Sequence, residues 1–252
     1  MKQMILQKLN EIEARENVRI LLAVESGSRA WGFASPDSDY DVRFIYIRTP
    51  QDYLKLNEMR DVIEEPVNDV FDISGWDLKK ALRLLHNANP TLFEWLNSPI
   101  CYRETDFSRT LRQDTARYFS PMKALFHYVS MAERNKKTLS SGNLVKAKKY
   151  FYVLRPVLAC KWILETNSPP PMRFSKLVQA ELPETLAPTV EELLYLKMNA
   201  PETKLIPRIG PLERYLEESI AEIRLAAQSV SKAPQSDWAL LNALFLKTLY
   251  NE

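Results

Sequence analysis

The chain has 252 residues, enough for one large domain or two modest ones. Hydrophobic residues make up 46% and the net charge is +2, so a packed core is available and a polycation is excluded. Two histidines, His86 and His127, are too few for a zinc cage, and the two cysteines, Cys101 and Cys160, are expected to be reduced and buried.

Met1 to Glu16 reads as an amphipathic helix with Ile5, Leu9 and Ile12 on one face and Asn17 as its stop. Val18 to Val24 and Tyr40 to Ile47 are short, apolar and rich in β-branched or aromatic residues, and read as buried strands. Between them lies Gly27-Ser28-Arg29-Ala30-Trp31-Gly32, then Ser35-Pro36-Asp37-Ser38-Asp39-Tyr40-Asp41. Ser28 is placed to start a short helix over Arg29 to Ala34, where its hydroxyl and the free backbone N–H groups can hold a phosphate. Gly27 lets the backbone approach that phosphate closely. On a strand, residues two apart share a face, so Asp39 and Asp41 aim together while Tyr40 and Val42 aim into the core. Two co-directed carboxylates beside a phosphate cradle suit Mg²⁺, which takes carboxylate and phosphate oxygens. A two-ion site of this kind supports in-line attack on a nucleotide phosphate. A lone Asp-x-Asp is usually a solvated turn; the flanking strands and the Gly-Ser turn distinguish this one.

Thr49-Pro50 opens a short helix to Leu56, whose Tyr53, Leu54 and Leu56 are expected on the sheet, and Asn57 to Glu65 reads as a charged loop. Val67 to Ser74 reads as a third strand, with Asp72 on the face opposite Phe71 and Ile73; Asp69 is the rival acid but shares the parity of Phe71. Three clustered carboxylates, Asp39, Asp41 and Asp72, would repel one another without a cation. Asp77 is placed to cap a helix from Leu78 to His86, buried through Leu78, Ala81, Leu82 and Leu85. Asn87 to Pro90 is a break, and Thr91 to Asn97 a short helix whose Leu92, Phe93, Trp95 and Leu96 read as core.

Beyond Cys101 the pattern reads as helices alone: Phe107 to Tyr118, Pro121 to Leu139 and Asn143 to Thr166, the last kinked at Pro156. From Glu133 to Lys161 basic residues outnumber acids heavily, with Lys148 and Arg155 on one stripe, so this is the best anion-binding surface in the chain. Further helices are expected over Arg173 to Ala180, Thr189 to Asn199 and Pro211 to Ser229, the last with Glu213, Glu217, Glu218 and Glu222 facing solvent. Asp237, or Ser236 before it, caps a final helix, Trp238 to Tyr250, whose apolar stripe docks on the bundle or on a second copy of the chain, which would suit a homodimer.

Gly-Ser, about ten residues, then Asp-x-Asp between apolar residues resembles the nucleotidyltransferase superfamily that includes DNA polymerase beta. The longer string from Gly27 to Arg43 is closer to the YcgL family, the RNA-ligase-associated nucleotidyltransferases. Asp72 to Leu78, Asn89-Pro90 with Glu94-Trp95-Leu96, and Lys149-Tyr150 with Leu154-Arg155-Pro156 fit the same family, so the resemblance spans most of residues 18 to 180. The change of pattern near Pro99 to Asp106 places a boundary there, giving residues 1–102 and 103–252. With the resemblance this makes an α+β architecture: a small mixed sheet with flanking helices, then an all-α bundle, with the active site expected in the cleft between them. The resemblance implies transfer of a nucleoside monophosphate from an NTP, ATP foremost, to an acceptor hydroxyl, with release of pyrophosphate. Gly27 and Ser28 would hold the β- and γ-phosphates, Arg29 or Arg43 would add charge, Arg43 being equally a candidate partner for the acids, and Lys149 and Arg155 would contact triphosphate or nucleic acid. Asp39 and Asp41 would bind Mg²⁺ or Mn²⁺. Asp72 would bind the second ion and favour deprotonation of the acceptor. The family name implies an RNA acceptor. An antitoxin-like enzyme that transfers AMP to a protein, and a non-catalytic nucleotide sensor or scaffold, are the other classes left open. Without a signal-type apolar segment or a run of eighteen apolar residues, a cytoplasmic protein without a membrane partner is expected.

Overall fold

A computed structural model describes residues 1–139, 142–201, 203–230 and 237–250. The protein is mixed α and β, and its larger sheet has five strands. The chain divides into two compact units, each described separately.

The first unit holds residues 1–30, 39–118 and the C-terminal helix. It begins with α1 (Lys2–Glu16), which ends where Asn17 turns left-handed at φ 51°. β1 (Arg19–Glu25) follows, then α2 (Gly27–Trp31), β2 (Tyr40–Ile47) and α3 (Pro50–Tyr53). β3 (Val62–Glu64), β4 (Phe71–Asp77), α4 (Leu78–His86), α5 (Pro90–Leu96), β5 (Cys101–Glu104) and α6 (Asp106–Asp114) complete this part, with a 3₁₀ turn from Thr115 to Tyr118. The strand order is β3-β4-β2-β1-β5. Only β2 and β4 run parallel; β1–β2, β1–β5 and β3–β4 are antiparallel.

Period-two alternation divides the sheet into two chemically different faces. Val42, Phe44 and Tyr46 of β2 join Phe71 and Ile73 of β4 beneath Ile5, Leu9 and Ile12 of α1. Gly75 makes that face possible, because a Cβ there would stand 2.2 Å from the Phe44 ring. The opposite face carries Asp41, Arg43 and Asp72 near the N-terminal ends of β2 and β4. Farther along β4 on that face, Trp76 stacks on Trp95 of α5 at 3.8 Å.

Several expected elements are corrected. The loop from Asn57 to Glu65 contains β3, and β5 lies beyond the expected last strand. Leu54 and Leu56 are exposed rather than packed on the sheet, because α3 ends at Tyr53. Strand β4 begins at Phe71, so Asp69 precedes it and is exposed, not buried beside Phe71. The short helix after β1 starts at Gly27 and ends at Trp31, earlier than Arg29 to Ala34.

The second unit holds residues 31–38 and 119–230 of the described chain. Its elements are α7 (Pro121–Lys137), β6 (Leu144–Lys146), α8 (Ala147–Thr166), α9 (Phe174–Glu181), α10 (Ala187–Asn199), β7 (Leu205–Pro207) and α11 (Gly210–Ser229). β6 and β7 form a small antiparallel pair where helices alone were expected. α8 passes through Pro156 as one helix. Phe33 lies in the core of this unit, with its ring 5.0 Å from Phe151 and 5.3 Å from Phe174.

α12 (Trp238–Tyr250) belongs to the first unit, so its apolar stripe docks there and not on the bundle. Trp238 stacks on His86 of α4 at 3.7 Å, and Phe245 meets Tyr53 edge-on at 5.2 Å. The Asp237 carboxylate accepts from the Ala239 N–H at 2.9 Å; Ser236, the alternative cap, lies outside the described residues. Among the described residues no helix is long and apolar enough to cross a membrane.

Candidate active site

Parallel pairing of β2 with β4 sets Asp41 directly opposite Asp72. In-register neighbours in a sheet point to the same face, so the two carboxylates project side by side. Arg43, two residues on, shares that face. Its Nη2 donates to Asp41 Oδ1 at 3.1 Å and to Asp72 Oδ2 at 2.6 Å. Its Nη1 donates to the Asp72 and Val42 carbonyls at 2.8 and 3.2 Å. A guanidinium thus stands where two adjacent carboxylates need a cation.

The turn after β1 closes on the same place. The Ser26 N–H donates to the Asp41 carbonyl at 2.8 Å. Gly27 follows at φ +57°, and a Cβ there would stand 1.9 Å from Asp41 Oδ2. The close approach assigned to Gly27 is therefore made first of all to the Asp41 carboxylate. Ser28 is buried within α2. Arg29 lies flat on the Tyr40 ring at 3.8 Å, and its Nε donates to the Asp39 carbonyl at 2.9 Å. That contact holds Asp39 one residue ahead of β2, half-buried.

Asp41 and Asp72 are thus brought together, while Asp39 lies just ahead of β2 with its carbonyl turned to Arg29. Among the described residues, no three His, Cys, Asp or Glu side chains are grouped as ready metal ligands. The expected three-carboxylate cluster is replaced here by a pair bridged through Arg43. The donor set is still of the right chemistry for a hard divalent cation, since carboxylate oxygens suit Mg²⁺. Arg43 marks the point between Asp41 and Asp72 where positive charge is held.

Glu25 was not singled out from the sequence. It is fully buried at the end of β1. Its carboxylate accepts from the Asp41 N–H at 2.9 Å and from the Tyr102 hydroxyl of β5. Burial, foremost, and the neighbouring Asp41 charge push its pKa up to about 7, against the lowering effect of those hydrogen bonds and of Arg29. Glu25 therefore fixes the Asp41 backbone from behind. A charged residue closing an otherwise apolar strand immediately before Ser26-Gly27 was the signal that could have revealed it.

The expected anion-binding residues of α8 lie in the second unit. Arg155 is 3% exposed, so it is not on a solvated face. Its guanidinium lies over the Trp31 ring at 4.5 Å, and Nη2 meets Met172 Sδ at 3.6 Å. Lys149 Nζ donates to the Thr138 carbonyl at 2.6 Å. Part of the basic excess is answered by α11, whose acids were expected to face solvent alone. Lys136 pairs with Glu217 at 2.8 Å, and Glu213 accepts from the Tyr150 hydroxyl at 2.7 Å. Cys160 is buried and Cys101 half-buried, and both are free thiols.

The model of the family described as RlaP, RNA repair pathway DNA polymerase beta family, matches residues 1–247. The chain belongs to this family. It is 45% identical over 251 residues to the uncharacterized protein YcgL of Bacillus subtilis (strain 168), covering 99% of this chain and 96% of that protein. Among solved structures it is similar to a nucleotidyltransferase-like protein from Exiguobacterium sibiricum 255-15. That likeness covers all of this chain and 80% of the other at 15% identity and a TM-score of 0.33, too distant to bear on the site. Family membership makes the protein polymerase-beta-like. Of the Asp-x-Asp pair, Asp41 meets Arg43 and Asp39 does not.

Proposed function

We propose that the protein is a nucleotidyltransferase that moves a nucleoside monophosphate from an NTP to an acceptor hydroxyl on RNA. The observation that carries this reading is the in-register pair Asp41 and Asp72 beside the Gly27 turn. The acceptor oxygen bonds to the α-phosphorus as the bond to the β-phosphate oxygen breaks, and pyrophosphate leaves. Asp72 receives the hydroxyl proton. Gly27 and Ser28 hold the departing phosphates through the backbone N–H groups that open α2. Arg29 supplies positive charge from its place on Tyr40. Asp39, Asp41 and Asp72 would hold Mg²⁺ or Mn²⁺, one or two ions, which when bound neutralise the triphosphate and polarise its oxygens. Arg43 must give up at least one of its two carboxylates for that to happen. Lys149 and Arg155 are retained as contacts to triphosphate or nucleic acid on the strength of family resemblance, Arg155 only with movement out of its buried position.

A second reading is favoured by the same Arg43. A guanidinium that already neutralises both acids suits a nucleotide-binding protein without chemistry. Label transfer separates the readings. The protein is incubated with each α-labelled NTP, with Mg²⁺ or Mn²⁺, and with total RNA or lysate protein, beside the Asp39→Asn/Asp41→Asn variant. Label on RNA that vanishes in the variant is the expected result. Label on a protein band would move the acceptor to protein and make the enzyme an AMP-transferring modifier. No label on any acceptor, with NTP binding retained, would leave the non-catalytic reading.

A further inference from the structure

A second site lies at the other end of the parallel strands. A cleft of about 460 Å³ opens where β2 and β4 end, lined by residues including Arg48, Asp77, Lys79 and Arg83. Arg48 lies roughly 20 Å along the strand from Asp41 at the usual rise per residue, so the cleft is separate from the acids around Arg43.

Its charges do not cancel: six basic residues line it against four acids, Asp52, Glu58, Asp61 and Asp77. Lys55 pairs with Asp52 at 2.7 Å and Lys80 with Asp61 at 3.0 Å. The Asp77 carboxylate is committed to structure: it accepts from the Lys79 N–H at 2.8 Å and the Tyr53 hydroxyl at 2.9 Å. Among the described residues, Arg48, Lys79 and Arg83 have no carboxylate within ion-pair distance. Arg48 Nη1 donates to the Glu16 carbonyl at 3.3 Å, while its buried Nε has no hydrogen-bond partner. Lys79 and Lys80 stand in the first turn of α4, which contains no acid. Cations are disfavoured at the positive end of a helix, and the N-cap Asp77 carboxylate is already engaged by the Lys79 N–H and the Tyr53 hydroxyl, so a further anion beside these lysines would be stabilising. Lys79 and Arg83, four residues apart, share one helical face, and both are exposed.

The shape indicates which anion. The cleft is open and its walls carry long charged side chains. The aromatic ring in it, Tyr53, is covered by Phe245 on one side at 5.2 Å and approached by Lys79 at 6.0 Å. A single ring in edge-on contact with Phe245 is not a platform for stacking successive bases. Such a site recognises phosphodiesters without reading sequence. We propose that this cleft binds the phosphate backbone of a single RNA strand and so holds the acceptor at a distance from the reacting end. The proposal rests on the reading that the acceptor is RNA.

The test is fluorescence anisotropy of a fluorescein-labelled single-stranded oligoribonucleotide, titrated with full-length protein at several salt concentrations. The Lys79→Glu/Arg83→Glu variant should bind at least tenfold more weakly. The milder Lys79→Ala/Arg83→Ala variant should lose affinity in the same direction, and its slope of log affinity against log salt should fall by about 1.4 for two lost phosphate contacts. Both substitutions are on exposed positions, and thermal melting verifies that both variants fold. Unchanged RNA affinity and salt slope in the folded variants would overturn the cleft while leaving the RNA-acceptor reading standing. Loss of ATP or inorganic phosphate binding in these variants, with RNA binding intact, would also overturn it. Wild-type protein that binds no oligoribonucleotide and labels only protein would sink the acceptor reading, and the cleft proposal with it.

Discussion

At Gly27 two constraints coincide. The backbone is left-handed at φ +57°, and an added Cβ would stand 1.9 Å from Asp41 Oδ2. The φ strain is local to residue 27, and with the Asp41 backbone pinned by Ser26 and Glu25 the clash is relieved only by swinging the Asp41 carboxylate away from its place beside Arg43. Gly27→Ala should destabilise the protein by at least about 2 kcal/mol, through backbone strain and the displaced carboxylate. It should also abolish nucleotide transfer. Gly210→Ala is the control, since a Cβ there meets nothing within 4 Å and its φ is ordinary. It should change stability by no more than about 0.5 kcal/mol. Urea midpoints of the three proteins decide the matter, and equal midpoints would show that the turn yields freely. Sequence spacing put Asp41 and Asp72 each on the polar face of its strand because a strand's two-residue period is rigid, and Gly27 was read from its place in the turn after β1. Spacing left open whether Arg43 adds charge at the phosphates or pairs with the acids, since whether a side chain folds back or extends depends on what lies beside it. Glu25 was hidden for a similar reason: its partners Asp41 and Tyr102 come from two other strands.

Elements with their own caps and long apolar patterns were the most legible. α1, β2, α4 and α12 fall within a residue of their expected spans, with Asn17, Asp77 and Asp237 as boundary residues. The short strands β3, β5, β6 and β7 escaped, because each has three or four residues and owes its existence to a partner strand. The cap of α4 makes a prediction about pH. Burial, foremost, and nearby Asp61 raise the Asp77 pKa above the ordinary carboxylate value, while Tyr53, the Lys79 N–H and Arg48 oppose the rise. The folded state then binds this proton more tightly than the unfolded chain. The stability contributed by that proton is complete below the unfolded pKa, about 3.9. It is lost as the pH rises through the raised folded value. Asp77→Asn keeps a competent cap and cannot titrate. Wild-type stability minus variant stability, taken from urea unfolding, should decline from about pH 4 upward. A difference that stays flat or grows with pH would show that the Asp77 pKa is not raised.

For the whole molecule, the change from mixed to helical composition near Pro99 to Asp106 suggested a single cut after residue 102. The compact units follow a different division: α6 and the turn to Tyr118 belong with the sheet, as does α12. Residues 31–38, lying between β1 and β2 in sequence, belong with the helices. Composition varies along the chain, whereas these memberships are set by contacts between residues far apart in it, such as Phe33 with Phe174 and Lys197 Nζ with Ser35 Oγ at 2.8 Å. A fragment of residues 1–118 should therefore fail to fold cooperatively. It would expose Phe33, which is buried in the second unit, and lose the core around that ring. It would also lose α12, with the His86–Trp238 stack, the Tyr53–Phe245 contact and the Arg19 bond to the Thr248 carbonyl at 3.0 Å. Uncovering one large aromatic side chain costs about 2–3 kcal/mol. Several such losses approach the whole stability of a small domain, about 5–15 kcal/mol. The fragment should bind a hydrophobic dye and show a broad, shallow urea transition where the full chain shows steep ones. A soluble fragment with a sharp transition would mean that neither the helical core that buries Phe33 nor α12 is needed to hold the sheet, and that the acids around Arg43 can be assembled by residues 1–118 alone.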